Sequence, residues 1–128
     1  MKKNKILVFG ANGLVGKSVV ETLSNSSKVE SVDSSTRKDT DLKNIDEIKN
    51  ILNIKQPDYI INCAAKVGGI YANNTFRAEF LLENLKINLN LFDALKEYPN
   101  VNVVNLGSSC IYPLNAPNPI SESSFLEG

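Results

Sequence analysis

Apolar residues arrive along this chain in short dense runs, and the stretch after most runs repeats them every three or four positions. Residues 5–9 (Lys5-Ile6-Leu7-Val8-Phe9) form the first run; Val15, Val19 and Leu23 then recur at helical spacing until Ser24-Asn25-Ser26-Ser27 ends the pattern. Residues 29–33 read as a short second strand. Asn44 predicts a helix N-cap, with Glu47 three positions on as in a capping box, and Ile45, Ile48, Ile51 and Leu52 supply the buried stripe. Pro57 punctuates, residues 58–63 predict a third strand, and Leu81, Leu85, Leu89, Phe92 and Leu95 fall on one face of a long helix stopped by Pro99-Asn100. Residues 101–106 predict the fourth strand. Near-continuous apolar strands separated by helices imply an α/β fold with a doubly wound parallel sheet covered on both faces. The stretch 113–128, with Pro113, Pro117 and Pro119, has no periodicity, and four strands with an open edge predict an incomplete domain.

The link between the first strand and first helix is the chain's most informative segment. Gly10-Ala11-Asn12-Gly13-Leu14-Val15-Gly16 has the layout that cradles a dinucleotide pyrophosphate in a Rossmann-type sheet. Gly10 lets the chain turn out of the strand, Gly13 offers no Cβ to block phosphates, and Gly16 brings the helix close to the sheet. Backbone N–H groups at the helix start supply the anion site. The spacing is G-x-x-G-x-x-G rather than the commoner G-x-G-x-x-G, and a tight turn that binds nothing is the plainer alternative.

Three further segments follow strands, at the edge where open α/β sheets bind ligands. Asp33 closes the predicted second strand, about 20 residues after the glycine turn, where an acidic residue accepts hydrogen bonds from the adenosine ribose and favours NAD. Arg37 and Lys38 follow closely, and a cation there pairs with a 2′-phosphate and favours NADP. Asp41 and Leu42 are placed to flank the adenine. After the third strand, Ala64 and Ala65 let a cofactor lie across the backbone, and Lys66, beside Gly68 and Gly69, is a candidate for a phosphate or sugar. After the fourth come Leu106, Gly107, Ser108, Ser109 and Cys110. A serine hydroxyl there stabilises a developing alkoxide, and a thiol moves protons if its pKa suits. Ordinary turn chemistry and inert packing are the alternatives for each segment alone.

Composition narrows the picture. The 128 residues suffice for one domain, and 14 basic against 14 acidic side chains leave no electrostatic footprint for nucleic acid or an anionic membrane. The first apolar run is too short for a signal segment, and no later run approaches a membrane span. Cys63 and Cys110 give neither a disulfide framework nor metal-ligand spacing, and histidine is absent, which removes the commonest general base and metal ligand. The expected location is cytoplasmic.

Taken together, Ala64-Ala65-Lys66-Val67-Gly68-Gly69-Ile70, Asn73-Asn74-Thr75 and Leu106-Gly107-Ser108-Ser109-Cys110-Ile111-Tyr112-Pro113 resemble the GDP-L-fucose synthase family of extended short-chain dehydrogenase/reductases. The resemblance implies an enzyme that epimerises C3 and C5 of GDP-4-keto-6-deoxymannose and reduces C4 with NADPH. It implies NADP as cofactor (NAD as the alternative), a GDP-sugar substrate and a homodimer in the intact enzyme. Position by position, it assigns residues 10–16 to the cofactor phosphates and residues 106–109 to the nicotinamide side. Ser108 matches the catalytic serine and Cys110 the cysteine used as base in epimerisation. The superfamily's Tyr-x-x-x-Lys has no match: Tyr59, Tyr71, Tyr98 and Tyr112 are each followed four positions on by another residue type. The family's acid histidine also has no match. The expectation is an N-terminal, cofactor-side part without the catalytic Tyr/Lys segment or substrate domain. The alternatives are another NAD-dependent nucleotide-sugar epimerase or dehydratase, a non-catalytic dinucleotide-binding module, or a truncated gene product.

Overall fold

The computed structural model describes residues 3–125, so the last three residues of the proline-containing stretch lie outside the described residues. Strands β1 (Asn4–Phe9), β2 (Val29–Ser35), β3 (Tyr59–Asn62) and β4 (Asn102–Asn105) form one sheet in the order β2-β1-β3-β4, every pair parallel. Helices α1 (Leu14–Ser24) and α2 (Ile45–Lys55) connect the first three strands, and α3 (Ile70–Thr75) and α4 (Arg77–Leu95) lead to the fourth.

Alternation along β1 divides the core in two. Leu7 and Phe9 face one side with Ile60, Leu42, Ile48, Leu52, Leu91 and Ala94, whereas Ile6 and Val8 face the other with Ala11, against which Val19, Val20 and Leu23 of α1 pack. Helices therefore cover both faces of the sheet, as the near-continuous apolar strands predict.

Asn44 caps α2 by accepting a hydrogen bond from Asp46 N–H at 3.1 Å. Glu47 departs from the reciprocal capping box: Asn44 N–H is committed to the Asp41 carbonyl (2.8 Å), so Glu47 accepts from Asp41 N–H (2.7 Å) and from the Asn44 amide (3.0 Å). The long helical stretch is broken at Phe76 into α3 and α4. Leu81, Leu85, Leu89 and Phe92 do share one face of α4, but that face is exposed, and Leu91 and Ala94 are the residues that enter the core. Among the described residues, no helix is long and apolar enough to cross a membrane.

Candidate functional site

Parallel pairing brings the carboxyl ends of all four strands to one edge. Phe9 is in register with both Ser35 and Asn62, and Asn62 with Asn105. A cleft of about 620 Å³ opens there, lined by the glycine turn, the loop after β2, the loop after β3 and one side of α4. Its floor depends on Gly10, whose φ of +71° lies in the left-handed region. A Cβ on Gly10 would also stand 2.7 Å from Ala64 N, so glycine is required twice over. Asn12, Gly13, Leu14, Val15 and Gly16 border the cleft, and the first-turn N–H groups of α1 lack intrahelical acceptors, as at any helix start. Gly13 adopts an extended backbone, and a Cβ there would meet nothing nearer than Gly10 O at 3.3 Å. Ala11 is instead buried beneath the turn and donates its N–H to Ser35 O at 3.2 Å. The cradle has the anion donors and the open approach that a pyrophosphate needs.

The loop after β2 alters one expectation. β2 runs to Ser35, two residues past the predicted end, because Ser34 and Ser35 continue the ladder on Val8 and Phe9. Asp33 therefore sits inside the strand and outside the cleft lining, and its carboxylate accepts from Lys55 Nζ at 2.6 Å. The residues at the strand's end are Ser35, Thr36 and Arg37, all in the cleft wall, whereas Lys38 is not. Three side-chain hydrogen bonds help fix this loop: Ser35 Oγ donates to Thr40 Oγ1 within the core (3.0 Å), and Asp39 accepts from Thr36 N–H (2.8 Å) and Thr36 Oγ1 (2.7 Å). Those Thr36 bonds hold the Asp39 carboxyl below its ordinary pKa. Asp41 and Leu42 line the cleft, tied to α4 by Asn90, whose amide donates to Leu42 O at 3.2 Å.

Asparagines also set the wall after β3. Buried Asn62 donates to Asn105 Oδ1 (2.7 Å) and accepts from Ala64 N–H (3.1 Å), which fixes where Ala64 and Ala65 line the cleft. Asn84 of α4 clamps Lys66 by accepting its N–H (2.8 Å) and donating to its carbonyl (3.0 Å). Lys66 Nζ, expected to meet a phosphate or sugar, donates instead to Glu83 at 2.6 Å and lies 5.3 Å from the Phe80 ring centroid. Cys63 also lines the cleft, and burial pushes its thiol pKa up. Thr36, Lys43, Glu83 and Ile87 are lining residues that sequence reasoning missed. Glu83 and Ile87, four apart on α4, had a periodic signal; the Leu81-Leu85-Leu89 stripe overshadowed it.

Leu106, Gly107, Ser108, Ser109 and Cys110 follow β4 at the same edge but outside the cleft lining, all exposed, with Ser109 opening a short 3₁₀ turn (Ser109–Ile111). Ser108 Oγ accepts Cys110 N–H at 3.2 Å, which leaves the hydroxyl proton for another acceptor.

Comparison with known proteins agrees with this fold. The model for the NAD dependent epimerase/dehydratase family matches residues 6–127. GDP-L-fucose synthase 1 of Arabidopsis thaliana is 41% identical over 125 residues, covering 98% of this chain and 38% of its own length. GDP-L-fucose synthase of Escherichia coli (strain K12) is 35% identical over 128 residues, covering 100% of this chain and 40% of its own length. Among solved structures, a GDP-L-fucose synthetase from Naegleria fowleri bound to NADP has a TM-score of 0.82 at 30% identity, covering 100% of this chain and 38% of the other. A GDP-D-glycero-L-gluco-heptose synthase from Campylobacter jejuni, solved in the presence of NADPH, has a TM-score of 0.86 at 30% identity, covering 100% and 37%. The chain thus spans about two fifths of the length of the curated relatives it matches.

Proposed function

The chain belongs to the NAD dependent epimerase/dehydratase family, and on that footing we propose that its cleft binds the adenosine and pyrophosphate of NADP. The observation that carries this reading is the cradle itself: Gly10 in a left-handed turn against Ala64, an unobstructed Gly13, and free N–H groups at the start of α1. Arg37, in the cleft wall at the end of β2, favours NADP over NAD by pairing with the 2′-phosphate. Asp41, Leu42, Ala64 and Ala65 line the adenosine side, and Leu106, Gly107 and Ser109 border the nicotinamide side. Asp33, committed to Lys55, is not used for the ribose.

The wider reading is a GDP-L-fucose synthase-like epimerase/reductase acting in the cytoplasm on GDP-4-keto-6-deoxymannose. NADPH supplies the hydride for C4 when bound. Ser108 donates its free hydroxyl proton as a hydrogen bond to the sugar carbonyl oxygen and so favours the developing alkoxide. Cys110 is exposed and, as its thiolate, takes the proton from the carbon beside the keto group; inversion is completed when an acid on the opposite face returns a proton to the enolate. None of the four tyrosines of these 128 residues has a lysine four positions on, so the proton for the alkoxide is not assigned to a residue of this chain. The unpartnered Leu81-Leu85-Leu89-Phe92 stripe of α4 suits the homodimer, since one stripe meets its own copy across a two-fold axis.

Calorimetry with NADPH and NADH tests the cofactor assignment: saturable binding, tighter for NADPH, is expected, and binding of neither overturns it. With the keto-sugar nucleotide, the purified chain is expected not to oxidise NADPH until a second segment carrying Tyr-x-x-x-Lys is supplied. Turnover by the chain alone contradicts the assignment of the proton donor.

A further inference from the structure

The cleft is lined by three cations, Arg37, Lys43 and Lys66, and two carboxylates, Asp41 and Glu83, of which Glu83 is ion-paired with both lysines. Glu83 accepts from Lys66 Nζ at 2.6 Å through one oxygen and lies 3.7 Å from Lys43 Nζ through the other. Lys66 is held again by the Phe80 ring and, through its backbone, by Asn84. Arg37, by contrast, makes no hydrogen bond or ion pair among the described residues. The hydrogen bond from Lys66, then the charges of Lys66, Lys43 and Arg37, hold the Glu83 carboxyl below its ordinary pKa. It therefore stays ionised at neutral pH, and Arg37 shares its field.

Resting on the dinucleotide reading of this cleft, we propose that Glu83 is a specificity-determining residue. It withholds Lys43 and Lys66 from the ligand's phosphates and leaves Arg37 to recognise the 2′-phosphate. A lysine ammonium is a compact charge on a flexible stem and answers any phosphate within reach, whereas a guanidinium presents a planar fork of fixed geometry. Two free lysines in the cleft would share the work of Arg37 and blur its selectivity. Occupied by one carboxylate, they become part of the wall. The three tied segments (the loop before α2, the loop after β3, and α4) border the cleft together, so the same contacts keep the lysines out of the ligand's path.

A double-variant cycle on the full chain tests this, reading the ratio of NADPH to NADH affinity by calorimetry at low salt. Arg37→Gln in the wild-type background should lower the ratio about 10-fold, the loss of one charge-assisted contact. In a Glu83→Gln background the same change should lower it by no more than about 3-fold, because a released lysine replaces the arginine. Glu83→Ser repeats the test with a second neutral side chain, and thermal melts establish that each variant is folded. A residue that merely ties the walls together would weaken both nucleotides and leave the effect of Arg37→Gln unchanged; that result overturns the proposal. Binding of neither nucleotide by the wild-type chain overturns the dinucleotide reading and this inference with it. An undiminished Arg37 effect in the Glu83 variants overturns only the inference.

Discussion

Gly16→Ala and Gly13→Val should separate folding from binding within a single turn. A Cβ on Gly16 would lie 2.8 Å from the Gly10 carbonyl carbon and 2.9 Å from Ala11 Cα, and nearer still to the Gly10 oxygen. Those are backbone atoms, fixed by the Gly13 N–H to Gly10 O bond (3.0 Å) and by the Ala11 N–H to Ser35 O bond (3.2 Å). Relief requires α1 to back away from the sheet, an overpacking cost of about 1–3 kcal/mol. Against a total stability of about 5–15 kcal/mol, that is a substantial share. Gly13 is different: its extended backbone (φ −73°, ψ 172°) suits any residue, and its Cβ would meet only Gly10 O at 3.3 Å. Valine at this N-cap should cost no more than about 1 kcal/mol, yet under the proposed dinucleotide reading its branches stand where the phosphates approach. Urea unfolding without ligand should show the Gly16→Ala midpoint lowered by about 1 M, with Gly13→Val close to wild type. Calorimetry with NADPH should show binding lost in Gly13→Val. A wild-type midpoint for Gly16→Ala, or undiminished NADPH binding by Gly13→Val, refutes the division of roles.

Arg37 and Lys38 should differ although they are adjacent: Arg37→Ser weakens NADPH by about 1–3 kcal/mol more than NADH, whereas Lys38→Ser, outside the cleft wall, leaves the ratio unchanged in the same titration. The Asp39 turn should persist to low pH. Its folded pKa is depressed by Thr36, so its contribution is complete above the ordinary carboxylate value and is lost as pH falls through the lowered one. The Thr36 amide resonance should therefore move with a midpoint below about 3.9; a midpoint at or above that value contradicts the hydrogen bonds described. Finally, iodoacetamide at neutral pH should modify exposed Cys110 well before half-buried Cys63, whose thiol burial keeps protonated. Peptide mass spectrometry showing Cys63 labelled first would count against the closeness of that wall.

The alternation of apolar runs with helical periodicity was enough to specify four strands, their parallel pairing and helices on both faces, because burial on both sides of a parallel sheet leaves no other pattern. It also located the glycine turn, the Asp41-Leu42 pair and the Ala64-Ala65 segment, since a parallel sheet sends every βα link to the same edge. Which face of α4 is buried was not legible: the leucine stripe is the more regular signal, but the sheet receives Leu91 and Ala94. Tertiary structure also decided the fate of the charged candidates. β2 ran past Asp33 because Ser34 and Ser35, weak strand formers, were carried along by the ladder on β1, and this delivered Asp33 to Lys55 and Arg37 to the cleft. The pairing of Lys66 with Glu83 was not legible, because the two lie 17 residues apart on different elements. Local sequence determines backbone periodicity and turn chemistry through short-range sterics and hydrogen bonding; which charge meets which depends on distances that exist only once the layers have packed.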